Sequence, residues 1–323
     1  MSDKPEETSW QSFLRKAKYQ MGREGGQKYS DQTWAEMMRE AFEEGFLGNY
    51  DNAIDIYDAV LQNTYERLDK GVRTDAFSAK AVALEKLGRI DEALTAYDKA
   101  IEISPKQDEL YNNKGILLAK LERHSEALVC FVKVVELTKD YKNDDKEDVE
   151  RHADSLGSLA EGYLALGTTN DLNIALKLVD ESIELNPKSA LAYQVKATIL
   201  SDESIEKYDE ALENCEKALK IDPTDTDVLI IRALIYLNTE KYDLAKKEFL
   251  ELLNHDPTES STHYNLACIY SLLKNKQKAI DHLLVATYLD PPRTHSDMDE
   301  DESFDNIRDS KEFKRLQSFE DSV

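Results

Sequence analysis

Apolar residues recur along this chain at helical spacing, interrupted by short polar stretches. In residues 225–257, Leu229, Ala233, Tyr236 and Leu237 lie four, three and one apart and so share one face of a helix. Polar residues 238–243 then turn the chain. A second stripe follows in Ala245, Phe249 and Leu252. Pro257 ends the pattern, because it lacks an N–H and restricts the residue before it. The stretch reads as two antiparallel helices.

The same unit is written seven times. Its second helix carries Ala53, Ala93, Ala127, Ala175, Ala211, Ala245 and Ala279, at intervals of 40, 34, 48, 36, 34 and 34 residues. Four residues after each comes Tyr57, Tyr97, Phe131, Val179, Cys215, Phe249 or Leu283. Two residues before six of the alanines stands Asp51, Asp91, Ser125, Asn173, Asp209 or Asp243; Gln277 holds that place in the seventh unit. Side chains of this type cap helix N-termini by accepting from free N–H groups, and Asp243 is expected to do so here. The first helix carries a small residue in each unit: Ala41, Ala81, Gly115, Ala160, Ala197, Ala233 and Ala267. Two small side chains at a crossing let the backbones approach, and a bulky replacement would cost roughly 1–3 kcal/mol.

This pattern resembles the tetratricopeptide repeat, whose consensus has a small residue, an aromatic, a second alanine, an aromatic and a closing proline. The closing prolines here are Pro105, Pro187, Pro223, Pro257 and Pro291. The resemblance covers residues 33–292 and implies an all-α fold, an α-solenoid in which antiparallel helix pairs form a right-handed superhelix. Three stretches break the regularity. Residues 62–73 imply an extended second helix in the first unit. Residues 138–150, rich in Asp, Glu and Lys, read as a spacer loop. The fourth and fifth units have three and two extra residues, expected in the turns between their helices.

A solenoid exposes apolar surface at both ends and needs caps. Residues 1–32 are expected to form an amphipathic basic helix and a Gly-rich linker. Trp10, Phe13, Leu14, Ala17 and Met21 follow helical spacing, among Arg15, Lys16, Lys18 and Arg23. This segment reads as a cap on the first unit or as an arm for a partner. Residues 293–323 are expected to hold an acidic stretch and a C-terminal capping helix. The acidic stretch, residues 297–305, fails the calcium-loop pattern, with no glycine at the turn. The helix carries Phe313 and Leu316, and residues 309–312 resemble a capping box.

Composition narrows the function. The formal net charge is −24, from 65 acidic and 41 basic residues, which argues against nucleic acid as a main partner. Three cysteines are widely spaced with no CxxC pair, so neither zinc nor a redox motif is expected. Cys130 and Cys215 read as small buried residues. No leader or membrane-spanning run is apparent, so a cytoplasmic protein without membrane association is expected. Of six histidines only His263 and His282 face each other within one unit. There is no HExxH, phosphate loop or GxSxG motif, so no enzyme activity, catalytic residue, cofactor or metal is expected.

The family resemblance implies that the first helices line a concave face. Counted from the small residue, that face runs through Met38, Phe42 and Phe46, then Asp75, Val82 and Lys86, and then Glu109, Asn112, Ile116 and Lys120. Later units add Gln194 and Thr198, then Asp227, Ile230, Leu234 and Asn238, and finally Ser261, Tyr264 and Cys268. The candidate partner-binding residues are Asn112, Ile116, Lys120, Gln194, Thr198, Ile230, Leu234, Asn238 and Tyr264. The expected function is a non-catalytic scaffold that holds a protein or peptide in this groove. The alternatives are a homo-oligomer assembled through caps or groove, and a regulatory subunit that recruits an enzyme. The asparagine that some relatives place after the small residue to grip a peptide carboxylate is absent here.

Overall fold

The computed structural model describes residues 31–64, 68–139 and 146–317. They form seven successive helix pairs: α1 (Asp31–Phe46) with α2 (Tyr50–Thr64), α3 (Lys70–Lys86) with α4 (Ile90–Ile103), α5 (Asp108–Lys120) with α6 (His124–Thr138), α7 (Lys146–Leu166) with α8 (Thr169–Leu185), α9 (Ala190–Ser201) with α10 (Tyr208–Ile221), α11 (Thr226–Asn238) with α12 (Tyr242–His255), and α13 (Ser260–Leu272) with α14 (Lys276–Leu289). Helix α15 (Pro291–Glu300), a 3-10 turn (Glu302–Phe304) and α16 (Lys311–Gln317) follow. No strand occurs among the described residues. No helix among them is long and apolar enough to cross a membrane.

The chain divides into two compact units, residues 1–117 and 118–323. In the first, Met37, Ala41, Ala53, Ile56, Tyr57, Val60 and Ala76 close one core cluster. In the second, clusters run in chain order among the described residues, and the last gathers Phe249, Leu266, Leu283, Met298, Phe304, Phe313 and Leu316. The small residues sit where the spacing predicts. All seven second-helix alanines are buried to 1% exposure or less, and the six first-helix alanines to 0%. Gly115, their counterpart in the third pair, is buried as well.

The turns between paired helices share one backbone device. Gly48, Gly88, Glu122, Gly167, Glu206, Glu240 and Lys274 all have positive φ, from 52° to 82°. In most of them the N–H after this residue reaches back to close the first helix, as in Arg89 N to Leu84 O at 2.9 Å and Lys241 N to Tyr236 O at 2.8 Å. This is the left-handed closure common at helix C-termini.

That closure shifts the caps. Asp51, Asp91, Ser125, Asp209 and Asp243 fall one residue inside their helices instead of at the N-cap, which Arg89, Arg123, Lys207 and Lys241 hold in four pairs without a side-chain cap bond. The inward acids face the positive end of the helix dipole instead. Arg89, Arg123 and Lys207 each pair with a Glu three residues on: Glu92, Glu126 and Glu210. Asn173 lies further in and donates to Thr169 O, while Thr168 caps α8. Side-chain caps belong mainly to the first helices, where Asp69, Ser189, Asp225 and Glu259 accept from backbone N–H groups.

Among the described residues, the irregular stretches add helix as well as loop. Residues 68 and 69 are not helical, so the expected extension through residue 73 does not form; Asp69 instead caps the 17-residue α3. Part of the expected spacer loop joins the 21-residue α7, from Lys146 onward. The three extra residues of the fourth pair begin α8 early, whereas the two of the fifth lie in the turn before Tyr208. Pro291 follows the end of α14 at Leu289, as the closing prolines of other repeats do, and also opens α15, since the first helical position needs no N–H donor. Ser310, not Asp309, caps α16 by accepting from Phe313 N at 3.3 Å.

Ion pairs tie adjacent pairs at a repeated register. Lys80 reaches Asp58, Lys114 reaches Asp98 and Lys196 reaches Asp180, at 2.5, 2.5 and 2.6 Å. Each lysine directly precedes the small residue of its first helix, and each aspartate lies five residues after a second-helix alanine. These pairs are partly solvated, so each contributes at most about 1 kcal/mol; their consistent geometry sets register.

Candidate functional site

In the first unit the residue after the small one is apolar and exposed on each first helix. Phe42 is 52% exposed, Val82 40% and Ile116 40%. The helical repeat explains this: the small residue points to the crossing, and its successor is turned about 100° away. Exposed Asp75 and Glu109 hold equivalent places about two turns before Val82 and Ile116. Partial desolvation raises the Asp75 pKa, and the negative charge of Glu109 raises it further. Exposed Lys86 lies one turn beyond Val82. The face therefore runs from carboxylates through an apolar band to a cation. Asn112 is half-buried beside Ile116.

In the second unit the same positions change character from helix to helix. Helix α7 presents Asp154 and Glu161. Desolvation raises both pKa values although both side chains reach solvent, and nearby Glu150 adds to the effect on Asp154. Helix α9 presents Gln194 and Thr198, both half-buried, with the Thr198 hydroxyl donating to the Gln194 carbonyl at 3.1 Å. Ile230 and Leu234 of α11 are half-buried and pack against the last core cluster. Lys120 and Asn238 are exposed at the C-terminal ends of α5 and α11.

On α13 the face is taken by the chain itself. The Tyr264 hydroxyl donates to Asp301 Oδ2 at 2.9 Å, and the Cys268 thiol lies 3.4 Å from the same oxygen. The Tyr264 ring meets Phe304 edge-on, with centroids 5.6 Å apart. Cys268 is thus buried to 3% and not on an open groove. Burial pushes its thiol pKa well up, and the Asp301 charge pushes it further, so it does not ionise near neutrality. In the sequence Asp301 stands only as part of an acidic run. The Asp-x-Ser spacing before Phe304 was the available signal, since Asp301 Oδ1 accepts from Ser303 N at 2.8 Å.

The histidine pair forms as the spacing predicts. His263 Nδ1 and His282 Nδ1 are 3.0 Å apart, and His263 Nε2 lies 3.1 Å from the Pro257 carbonyl. Among the described residues no three His, Cys, Asp or Glu side chains gather as metal ligands would. All three cysteines are buried free thiols.

Comparison with known families agrees with this architecture. Tetratricopeptide repeat models match residues 83–122, residues 206–267, and residues 108–141 with 260–293. The chain is built of tetratricopeptide repeats. The matched segments cover pairs whose helices and turns have the repeat's regular length. Solved structures with the same fold include a tetratricopeptide repeat protein from Parabacteroides merdae, with a TM-score of 0.63 at 17% identity, covering 89% of this chain and 98% of that one. Another is pilF of Pseudomonas aeruginosa, with a TM-score of 0.53 at 17% identity, covering 70% of this chain and 93% of that one. A third is human IFIT1, solved as a dimer with m7Gppp-AAAA, with a TM-score of 0.51 at 21% identity, covering 85% of this chain and 65% of that one. No curated protein matches the sequence.

Proposed function

We propose that this tetratricopeptide chain is a non-catalytic scaffold that holds a segment of a partner protein against the exposed face of its first helices. Arrays of this family bind protein or peptide partners in general. The observation that carries the reading here is the pairing of Val82 and Ile116, each 40% exposed at equivalent places on α3 and α5. Contiguous exposed apolar surface with a polar rim is a usual mark of a protein-binding face. With carboxylates at one end and Lys86 at the other, the face favours a segment with apolar anchors between a basic and an acidic residue. The net charge of −24 disfavours a nucleic acid ligand.

Selection from a displayed library of random peptides tests this. The expected result is enrichment of sequences with spaced apolar anchors, whose binding is lost in Val82→Asp and Ile116→Asp while the helical circular dichroism is retained. Enrichment that both variants leave untouched sinks the assignment of this face. A parallel Leu234→Asp variant asks the same of the second unit.

A further inference from the structure

We propose that residues 10–21 of this chain dock against the exposed apolar end of α1 and form an intramolecular cap on the first repeat. This surface is the first-repeat end of the face that carries Val82 and Ile116. Phe42 and Phe46, 52% and 93% exposed, stand on consecutive turns of one helix face, and Leu47, 69% exposed, follows directly after the helix. Phe42 is anchored from beneath by the Tyr57 ring, edge-on at 6.0 Å. The position of Phe46 is held by Lys86, Lys120, Ala165, Asp202, Asn238 and Leu272 in later repeats, none of them aromatic. An aromatic there, in the first repeat, calls for cover.

The occupant is chosen by charge, connection and pattern. Helix α1 carries five acidic residues and one basic. Glu40, Glu43 and Glu44 crowd beside the apolar face, and partial desolvation and this mutual repulsion raise the Glu40 pKa. Residues 10–23, which lie outside the described residues, carry four basic side chains and no acidic one in a chain that is strongly acidic overall. Their apolar residues, Trp10, Phe13, Leu14, Ala17 and Met21, fall on one helical stripe. Residues 22–30 connect the segment to Asp31 and can span about 30 Å, against about 24 Å for the whole of α1. The last repeat supplies the precedent, since residues after α14 return to cover Tyr264 and Cys268 on the equivalent face of α13. A cap at the first repeat satisfies the same need of a terminal repeat.

Trp10 and Trp34 are the two tryptophans of the chain, so a full-length Trp34→Phe protein reports on Trp10 alone. The expected result is a blue-shifted emission, shielded from acrylamide and unchanged across a dilution series. Phe46→Asp should shift it to the red and raise the quenching constant several-fold, with the helical circular dichroism kept. If that variant unfolds, Phe13→Asp must give the same exposure with the repeats intact. Trp10 as accessible in the native protein as in urea overturns the proposal. So does shielding that vanishes on dilution, which marks a second copy, or shielding that arises only on adding phosphatidylserine vesicles.

Discussion

The Tyr264 hydroxyl and Asp301 Oδ2, 37 residues apart in sequence, are joined by a 2.9 Å hydrogen bond. Asp301 also accepts from Ser303 N at 2.8 Å and lies 3.4 Å from the Cys268 thiol. Its burial raises its pKa, but the bonds from Ser303, Tyr264 and Cys268 outweigh this and leave it below 3.8. The stabilisation is therefore present above pH 3.8 and lost as pH falls through the lower folded value. Asp301→Ala should cost about 2–3 kcal/mol at neutral pH, since it removes a charge-assisted network and strands the Tyr264 hydroxyl. Tyr264→Phe should cost about 1 kcal/mol. Urea denaturation of the three proteins gives the comparison, and equal midpoints would show that the contact is idle.

The histidine pair sets a second pH dependence. His263 Nε2 can bond the Pro257 carbonyl only as a donor, so in the neutral pair His282 Nδ1–H donates to His263 Nδ1. Burial lowers the His282 pKa below 6.5 and His263 lowers it further; Asp281 opposes them, and Lys278 adds a smaller lowering. Tyr270 stacks on its ring at 5.4 Å. The unfolded chain thus binds more protons below pH 6.5, and stability should fall as pH drops through that value. His282→Gln should flatten the fall in melting temperature between neutral and mildly acid pH. His152, also lowered by burial, should keep part of the slope. A slope unchanged in His282→Gln would remove the pair from the account.

The turns predict a stabilising change. Glu240 has φ 57° and Lys274 φ 59°, a conformation that costs an L-residue roughly 1–2 kcal/mol. Glu240→Gly should raise stability by about 0.5–1 kcal/mol after the added freedom of the unfolded chain is deducted. Gly88→Ala should lose about 1 kcal/mol for backbone reasons alone, because its φ is 72° and a Cβ there meets nothing within 4 Å. Chemical denaturation checks both signs, and a loss in Glu240→Gly would contradict the argument.

The crossing of small residues predicts a large loss. Ala233 and Ala245 are both 0% exposed, so Ala233→Leu must push α11 from its neighbours at a cost of roughly 1–3 kcal/mol. Phe249→Ala, in the same cluster, should cost roughly 3–5 kcal/mol by leaving a cavity. An Ala233→Leu protein as stable as the parent would mean the helices do not cross there.

Sequence alone determined the seven helix pairs, the buried alanines and the meeting of His263 with His282. Each depends on spacing within one or two helices, and the 3.6-residue period fixes which side chains share a face. It also marked Ile116, for the same reason. It placed Asp243 at a cap and read residues 62–73 as helix, because backbone closure at Glu240 and capping by Asp69 are decided by neighbouring turns and not by composition. Tertiary structure alone decided that Tyr264 and Cys268 are covered and that Asp301 points inward. Those depend on how residues 291–317 return across α13 and α14, a contact between segments far apart in sequence that no local period encodes. It likewise separated the exposed apolar band of the first unit from the graded face of the second, since exposure is set by what packs beside a helix and not by the helix itself.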